Sequence, residues 1–428
     1  MKLDFNTHPC FNREAHQKHG RVHLPVAPRC NIQCNFCNRK FDCINESRPG
    51  VTSAVLSPAQ ALAYLKDVMA ARPEISVVGI AGPGDPFANP EETMETLRLA
   101  RRNFPEIMLC VATNGLNVGP YIDELAYLKV SHVTVTITAV DPEIGSEIYA
   151  WIRDGKRPLR GEEAARTLIA RQLEAVAELK ARDIIVKINS ILIPGINDEH
   201  IPEVAKVVKD LGADIMNCMP MVPVEGAAFA EIQQPDGLMT ARVRLQSGLH
   251  LPQMSHCARC RADSVGLINE KMSAQQIQAL EHYANISIAP EDDANRPYVA
   301  VASMEGALVN MHLGEAERFL IYQRHPDQPD GFELQSIRKA PEPGSGNERW
   351  ESMAEMLHDC RALLVMAAGP SPMRVLAAKG LRVVEMDGLI DEGLKAIYAN
   401  RPIPAAMKRE FTGCSQGAGC RGTGTGCG

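Results

Sequence analysis

From about residue 22 to residue 220 the chain alternates short β-rich runs with amphipathic helical runs, and this alternation limits the fold more than any other feature. The β-rich runs fall at residues 22–27, 75–81, 107–113, 132–138, 184–189 and 214–219, and helical patterns occupy 58–72, 90–103, 162–182 and 199–211. Ser57-Pro58 opens the first helix as an N-cap followed by proline at the first helical position. Strands alternating with helices pair in parallel through right-handed crossovers, so an α/β fold is expected. An open doubly wound sheet and a barrel related to the (β/α)8 form share this pattern. Reactive residue types gather where the strands end: Cys30 after the first, Gly82-Pro-Gly-Asp-Pro86 after the second, Thr113-Asn-Gly115 at the third, Asn189 at the fifth and Cys218 at the sixth. Both closures place ligand sites at strand C-termini, so a site is expected there.

Residues 221–270 read as irregular, broken by Pro223, Gly226, Pro235, Gly237 and Pro252, and they carry Cys257-Ala-Arg-Cys260. Near residue 284 the character changes. Strands are expected at 285–289, 298–302 and 319–323, a Pro- and Gly-rich loop at 328–346, a helix at 348–359, a strand at 362–367, a helix at 372–379 and a strand at 382–386. From Gly413 the chain is Gly-rich with Cys414, Cys420 and Cys427, a composition that does not build a core. The expected organisation is an arm (1–21), the strand–helix domain (22–220), an extension (221–284), a second α/β domain (285–405) and a tail (406–428).

Thirteen cysteines in 428 residues need a reason. The number is odd, and several sit in close pairs and triplets, the spacing of metal ligands rather than of disulfides. The net charge of −7 offers no field for nucleic acid or an anionic membrane. No run of 18 apolar residues marks a membrane span, and the N-terminus lacks the apolar stretch of a signal peptide, so a cytoplasmic protein is expected.

Cys30-Asn-Ile-Gln-Cys34-Asn-Phe-Cys37 places three thiols on one loop, enough for three corners of a [4Fe–4S] cube with the fourth iron open. This resembles the CxxxCxxC loop of the radical S-adenosylmethionine (SAM) superfamily, including the aromatic before the last cysteine. The resemblance implies a partial (β/α)6 barrel, a cube held by three cysteines and SAM, and cleavage of SAM to a 5′-deoxyadenosyl radical. It also implies that Gly82, Gly84 and Asp85 meet the SAM ammonium, with Thr113, Asn114 and Asn189 as further polar contacts.

The surrounding block narrows the resemblance. His8-Pro-Cys10, then Arg21-Val-His23-Leu-Pro, then the triplet, then Cys43-Ile-Asn-Glu46-Ser-Arg48-Pro resembles the NifB family of nitrogenase cofactor maturases. That implies two auxiliary [4Fe–4S] clusters that fuse, with a SAM methyl becoming a central carbide. By similarity, Cys43, Cys110 and a histidine hold one cluster, and Cys10, Cys257 and Cys260 the other. His8 is the first choice for the histidine, with His16 and His23 as rivals. Glu46 and Arg48 are candidates for proton handling or cluster release. The second domain, with Val309-Asn-Met-His312-Leu-Gly, is similar to NifX-like cofactor carriers, which implies a ribonuclease-H-like fold and His312 as an iron ligand. Implied partners are iron–sulfur donor proteins, a ferredoxin or flavodoxin as electron donor, and downstream carrier or scaffold proteins. Two other readings compete: a peptide-modifying radical SAM enzyme and a non-catalytic iron–sulfur scaffold. Cys218 and Cys360 read as structural.

Overall fold

The computed structural model describes residues 7–12, 14–43, 52–257, 260–268, 270–288, 294–325, 328, 331–342, 347–399, 401 and 403–408. Two compact units make up the chain, Met1–Ile122 with Leu128–Ile288, and Asp123–Tyr127 with Ala289–Gly428. Among the described residues no helix is long and apolar enough to cross a membrane.

The first unit is built on β1 (Gly20–His23), β2 (Ile75–Ile80), β3 (Met108–Thr113), β4 (Val130–Thr136), β5 (Ile185–Leu192), β6 (Ile215–Pro220) and β7 (Val265–Gly266). Strands β1 to β6 lie side by side in chain order and all run parallel, while β7 flanks β1 antiparallel. A doubly wound sheet reverses its strand order at a switch point; this one never reverses, the order of a curled, barrel-like sheet. The strands are apolar because both faces are covered, and Val77, Val78, Leu109, Val111, Val133, Val135, Val186 and Ile188 are all buried. Helix Pro58–Ala71 begins as read, with a full capping box between Ser57 and Gln60.

One register row shapes the interior. His23 on β1 pairs with Gly79 on β2, Gly79 with Cys110 on β3, and Cys110 with His132 on β4. Residues in register on parallel neighbours share a face, so His23, Cys110 and His132 point the same way across a glycine. Cys110 therefore stands within a strand, in the β-rich run 107–113 read from the sequence.

Elsewhere the structure differs from the sequence reading in several strand ends and in the following elements. The 221–270 stretch contains a helix, Gly237–Gly248, because Pro235-Asp236-Gly237 is its cap; the Asp236 carboxylate accepts from Met239 N at 2.7 Å. Residue 285 ends a helix, Ala274–Asn285, rather than opening a strand. That helix docks on Pro58–Ala71, with Tyr283 donating to Asp67 and Gln60 Nε2 donating to Ala284 O at 3.2 Å and Ile286 O at 2.8 Å. The expected 328–346 loop holds a strand, Phe332–Lys339. Finally, the triplet loop contains a short strand, Ile32–Cys34, which pairs with Tyr149–Asp154, itself paired with Arg157–Leu159.

In the second unit, β8 (Tyr298–Val301), β9 (Arg318–Arg324), β10 (Phe332–Lys339), β11 (Cys360–Val365) and β12 (Arg382–Glu385) form one mixed sheet in the order β10-β9-β8-β11-β12. Alternation divides its residues between two cores. Ala300, Leu363 and Val365 pack with Trp350, Met353 and Leu376 on one face. Val299, Val301 and Leu364 pack with Leu394 and Ile397 on the other.

Candidate active site

Cys30, Cys34, Cys37 and Cys43 line a single cleft, together with Gly84, Asp85, Thr113 and Asn114. The triplet loop is anchored by its apolar residues. Ile32 and Phe36 are buried among Leu116, Ile148, Tyr149 and Ile152, which is the structural reason for the aromatic before Cys37. Gln33 Nε2 closes the loop by donating to the carbonyls of Cys34 (3.0 Å) and Cys37 (2.8 Å). Arg39, also on the cleft wall, donates to Pro28 O at 2.7 Å and places its charge near Cys37.

The glycine-rich turn after β2 is pressed against the segment leading to Cys30. Gly84 N donates to Ala27 O at 2.6 Å and Asp85 N to Arg29 O at 2.8 Å. A Cβ on Gly84 would stand 2.1 Å from the Arg29 carbonyl oxygen, so no other residue fits without moving the backbone. Gly84→Ala is accordingly expected to lower stability by about 1–3 kcal/mol and to weaken SAM binding several-fold, read by chemical denaturation and equilibrium dialysis. Unchanged SAM affinity would show that the turn does not shape the site.

Asp85 was expected to meet the SAM ammonium directly, yet its carboxylate is 3% exposed and already engaged. Oδ2 accepts from Thr113 Oγ1 (2.9 Å) and Asn114 N (2.6 Å), and Oδ1 from Phe87 N (2.9 Å). It ties the β2 turn to the end of β3, and burial holds its carboxyl above the usual range against these bonds. Asn114 Nδ2 in turn donates to Asn31 Oδ1 at 2.7 Å, leaving Asn31 Nδ2 buried beside Cys30 with no hydrogen-bond partner. Gly82 and Asn189 are not among the residues lining the cleft; Thr136, which no sequence motif marked, is. Its register partner is Asn189, and that pairing is the signal that points to it.

Burial pushes the Cys30 thiol up to about 11, with Asp85 adding to the effect. Cys34 is raised further, by burial first and then by the neighbouring thiols, and Cys37 is raised by burial against the opposing Arg39. Thiols that resist ionisation alone ionise against iron, so the donor set fits a cube held at three corners. Among the described residues no three His, Cys, Asp or Glu side chains converge on one ion-sized point, and the triplet instead lines a wider cleft.

The radical SAM superfamily signature matches residues 24–208, and that described as dinitrogenase iron-molybdenum cofactor matches 295–400. The FeMo cofactor biosynthesis protein NifB of Chlorobaculum tepidum is 52% identical over 429 residues, covering 100% of both chains. The chain belongs to the NifB family. Two further NifB proteins agree with this, from Klebsiella pneumoniae (42% identical, 87% of this chain and 86% of that one) and Azotobacter vinelandii (36%, 93% and 89%). A NifB-family chain is thus a radical SAM protein of FeMo cofactor biosynthesis.

The other candidate ligands lie outside the triplet. His23 Nδ1 is 3.0 Å from Arg261 O. A carbonyl only accepts, so Nδ1 carries the hydrogen and Nε2 keeps its lone pair. The ring lies over Gly79, whose absent Cβ would be 2.9 Å from His23 Cδ2, on the side of Cys110. Burial and the nearby Arg21 hold this imidazole neutral, pushed down to about 4. In His8 the roles are reversed: Nδ1 accepts from Cys10 N at 3.1 Å, so the hydrogen sits on Nε2. Its ring packs tilted against His132 (4.2 Å between centroids) and edge-on against Phe11 (4.7 Å). His16 lies 5.2 Å from the ring of His256.

His256 Nε2 donates to Pro9 O at 3.0 Å, which joins the Cys257 segment to the arm carrying Cys10. Cys257 packs against the same apolar cluster as Cys30 and Cys37. Cys260 Sγ accepts from Arg21, a residue to which the sequence reading gave no role. Cys218 and Cys360 are fully buried, as structural cysteines are. His312 caps a short 3-10 turn, Nδ1 accepting from Gly314 N at 3.0 Å, so ligation through Nε2 requires that bond to break. Glu46, Arg48, Cys414, Cys420 and Cys427 lie outside the described residues.

Proposed function

We propose that this NifB-family chain fuses two [4Fe–4S] units and inserts a SAM-derived carbide and a sulfide, giving the eight-iron precursor of the nitrogenase cofactor. The observation that supports the reading is that Cys43 lines the same cleft as the triplet cysteines in a chain of the NifB family. His23, Cys43 and Cys110 form the first substrate site, where the free Nε2 of His23 and its register with Cys110 favour it over His8. Cys10, Cys257 and Cys260 form the second. An imidazole is a weaker ligand than a thiolate, which suits iron that must leave.

When bound at Cys30, Cys34 and Cys37, the SAM cube supplies a low-potential electron and an open iron for SAM. The chain's own residues orient and enclose. Asp85 fixes Thr113 and Asn114 at the rim, Asn31 Nδ2 offers a donor beside Cys30, and the apolar packing of Ile32 and Phe36 keeps water from the loop. One SAM donates its methyl to a cluster sulfide, and a second provides the hydrogen abstraction that begins its conversion. Iron–sulfur donor proteins, a ferredoxin or flavodoxin, and a downstream carrier or scaffold are the proposed partners. Reconstituted protein, SAM, reductant and sulfide, supplemented with a molybdenum source and the downstream carrier and scaffold proteins, should activate a cofactor-free nitrogenase in vitro; failure of this complete mixture while 5′-deoxyadenosine accumulates would favour the peptide-modifying reading.

The second unit is proposed as a carrier that retains the product. Truncation after Ile288, which keeps the docked helix Ala274–Asn285, is expected to leave SAM cleavage intact. Delivery should fall several-fold at low product concentration and recover when product is abundant, because a tether acts through effective concentration. A soluble, cluster-loaded fragment that makes no 5′-deoxyadenosine would overturn the carrier role.

A further inference from the structure

Arg21 sits on β1, two residues before His23, and is 2% exposed. Its guanidinium is fully engaged. Nη1 donates to Gly266 O (2.5 Å) and Leu267 O (2.8 Å), both on the segment that β7 pairs with β1. Nε (3.3 Å) and Nη2 (2.9 Å) both donate to the Cys260 sulfur. Among the described residues no carboxylate accepts a hydrogen bond from it, and Glu270 feels it only through charge. A guanidinium removed from water needs an anionic partner, and the sulfur is the only one of its acceptors that can carry a full negative charge. The fork also fixes direction: two N–H groups on one sulfur hold Cys260 to a sheet strand rather than to its own loop.

We propose that Arg21 is a positioning residue for the second substrate site. It fixes the Cys260 sulfur and sets a positive charge and two hydrogen bonds against it, raising the reduction potential of the cluster bound there. The proposal rests on the reading that Cys260 is an iron ligand. Charge and hydrogen bonds at a ligating sulfur are among the factors that set a cluster's potential, and partners of a ligand are as much part of a site as the ligand. Because Arg21 and His23 share one face of β1, the strand would support both substrate sites at once.

The test uses the full chain with Cys30, Cys34, Cys37, Cys43 and Cys110 replaced by alanine, so that one cube remains. Iron per chain and a redox titration followed by electron paramagnetic resonance are compared for Arg21, Arg21→Lys and Arg21→Gln. Arg21→Gln, which keeps a donor but loses the charge, is expected to lower the midpoint potential, with a several-fold smaller reduced fraction at a fixed potential. Arg21→Lys should hold near-full iron at an intermediate potential. Loss of iron by Arg21→Gln in a chain that stays folded also supports positioning. A full cube at unchanged potential in Arg21→Gln would overturn the proposal, and so would unfolding of both variants, which would make Arg21 a structural cation only. A parent chain that binds no iron would overturn the ligand reading and the proposal with it.

Discussion

Replacing Cys30, Cys34 and Cys37 together by alanine is expected to abolish 5′-deoxyadenosine formation while iron remains bound elsewhere. The three thiols line the same cleft as Gly84, Asp85, Thr113 and Asn114, so a cluster bound by them would lie beside the residues proposed to meet SAM. A cube with three protein ligands has an open iron, and no other cysteine group in the chain has this spacing. The loss should not come from unfolding, since Ile32 and Phe36, not the thiols alone, anchor the loop in its apolar cluster. Product analysis after reduction, with iron content and circular dichroism alongside, checks this. Unchanged 5′-deoxyadenosine from the triple variant would remove the assignment.

A comparably large effect is expected at the substrate sites. Cys43→Ala, Cys110→Ala or His23→Ala should lower bound iron by up to one cube, and Cys257→Ala or Cys260→Ala should do the same for the other. Cys43→Ala combined with Cys257→Ala should lose more than either alone. His8→Ala should act differently. Its Nδ1 holds Cys10 N and its ring packs on His132 and Phe11, so it should destabilise the arm by about 1–3 kcal/mol and leave the first site's iron in place. If His8→Ala empties that site and His23→Ala does not, the tautomer argument is wrong.

Much of this was legible in the sequence because parallel strands buried on both faces must be apolar, so the β-rich runs stood out even where their ends were misplaced. What escaped depended on long-range pairing or on local signals with two meanings. Ile32–Cys34 is a strand only because Tyr149–Asp154 lies beside it, and nothing in three residues foretells that. Pro235-Asp236-Gly237 reads as a break and is a helix cap. Phe332–Lys339 was hidden between Pro- and Gly-rich stretches, and as an edge strand it is mostly exposed, Leu334 and Ile337 included. In the site the residue types were visible but their partners were not. Asp85 was read as reaching outward because its donors, Thr113 and Asn114, come from another strand. Arg21 stood beside His23 in the sequence, and only the fold brings Cys260 to it.

The central claim, that SAM carbon ends in an iron–sulfur product, is tested most directly by following isotope from the methyl group of SAM. With reconstituted full-length protein and reductant, the account predicts label in the isolated cluster product. It also predicts that S-adenosylhomocysteine and 5′-deoxyadenosine form together, and that the triplet variant makes no labelled product. Label recovered wholly in methionine, with 5′-deoxyadenosine as the sole nucleoside product, would contradict it.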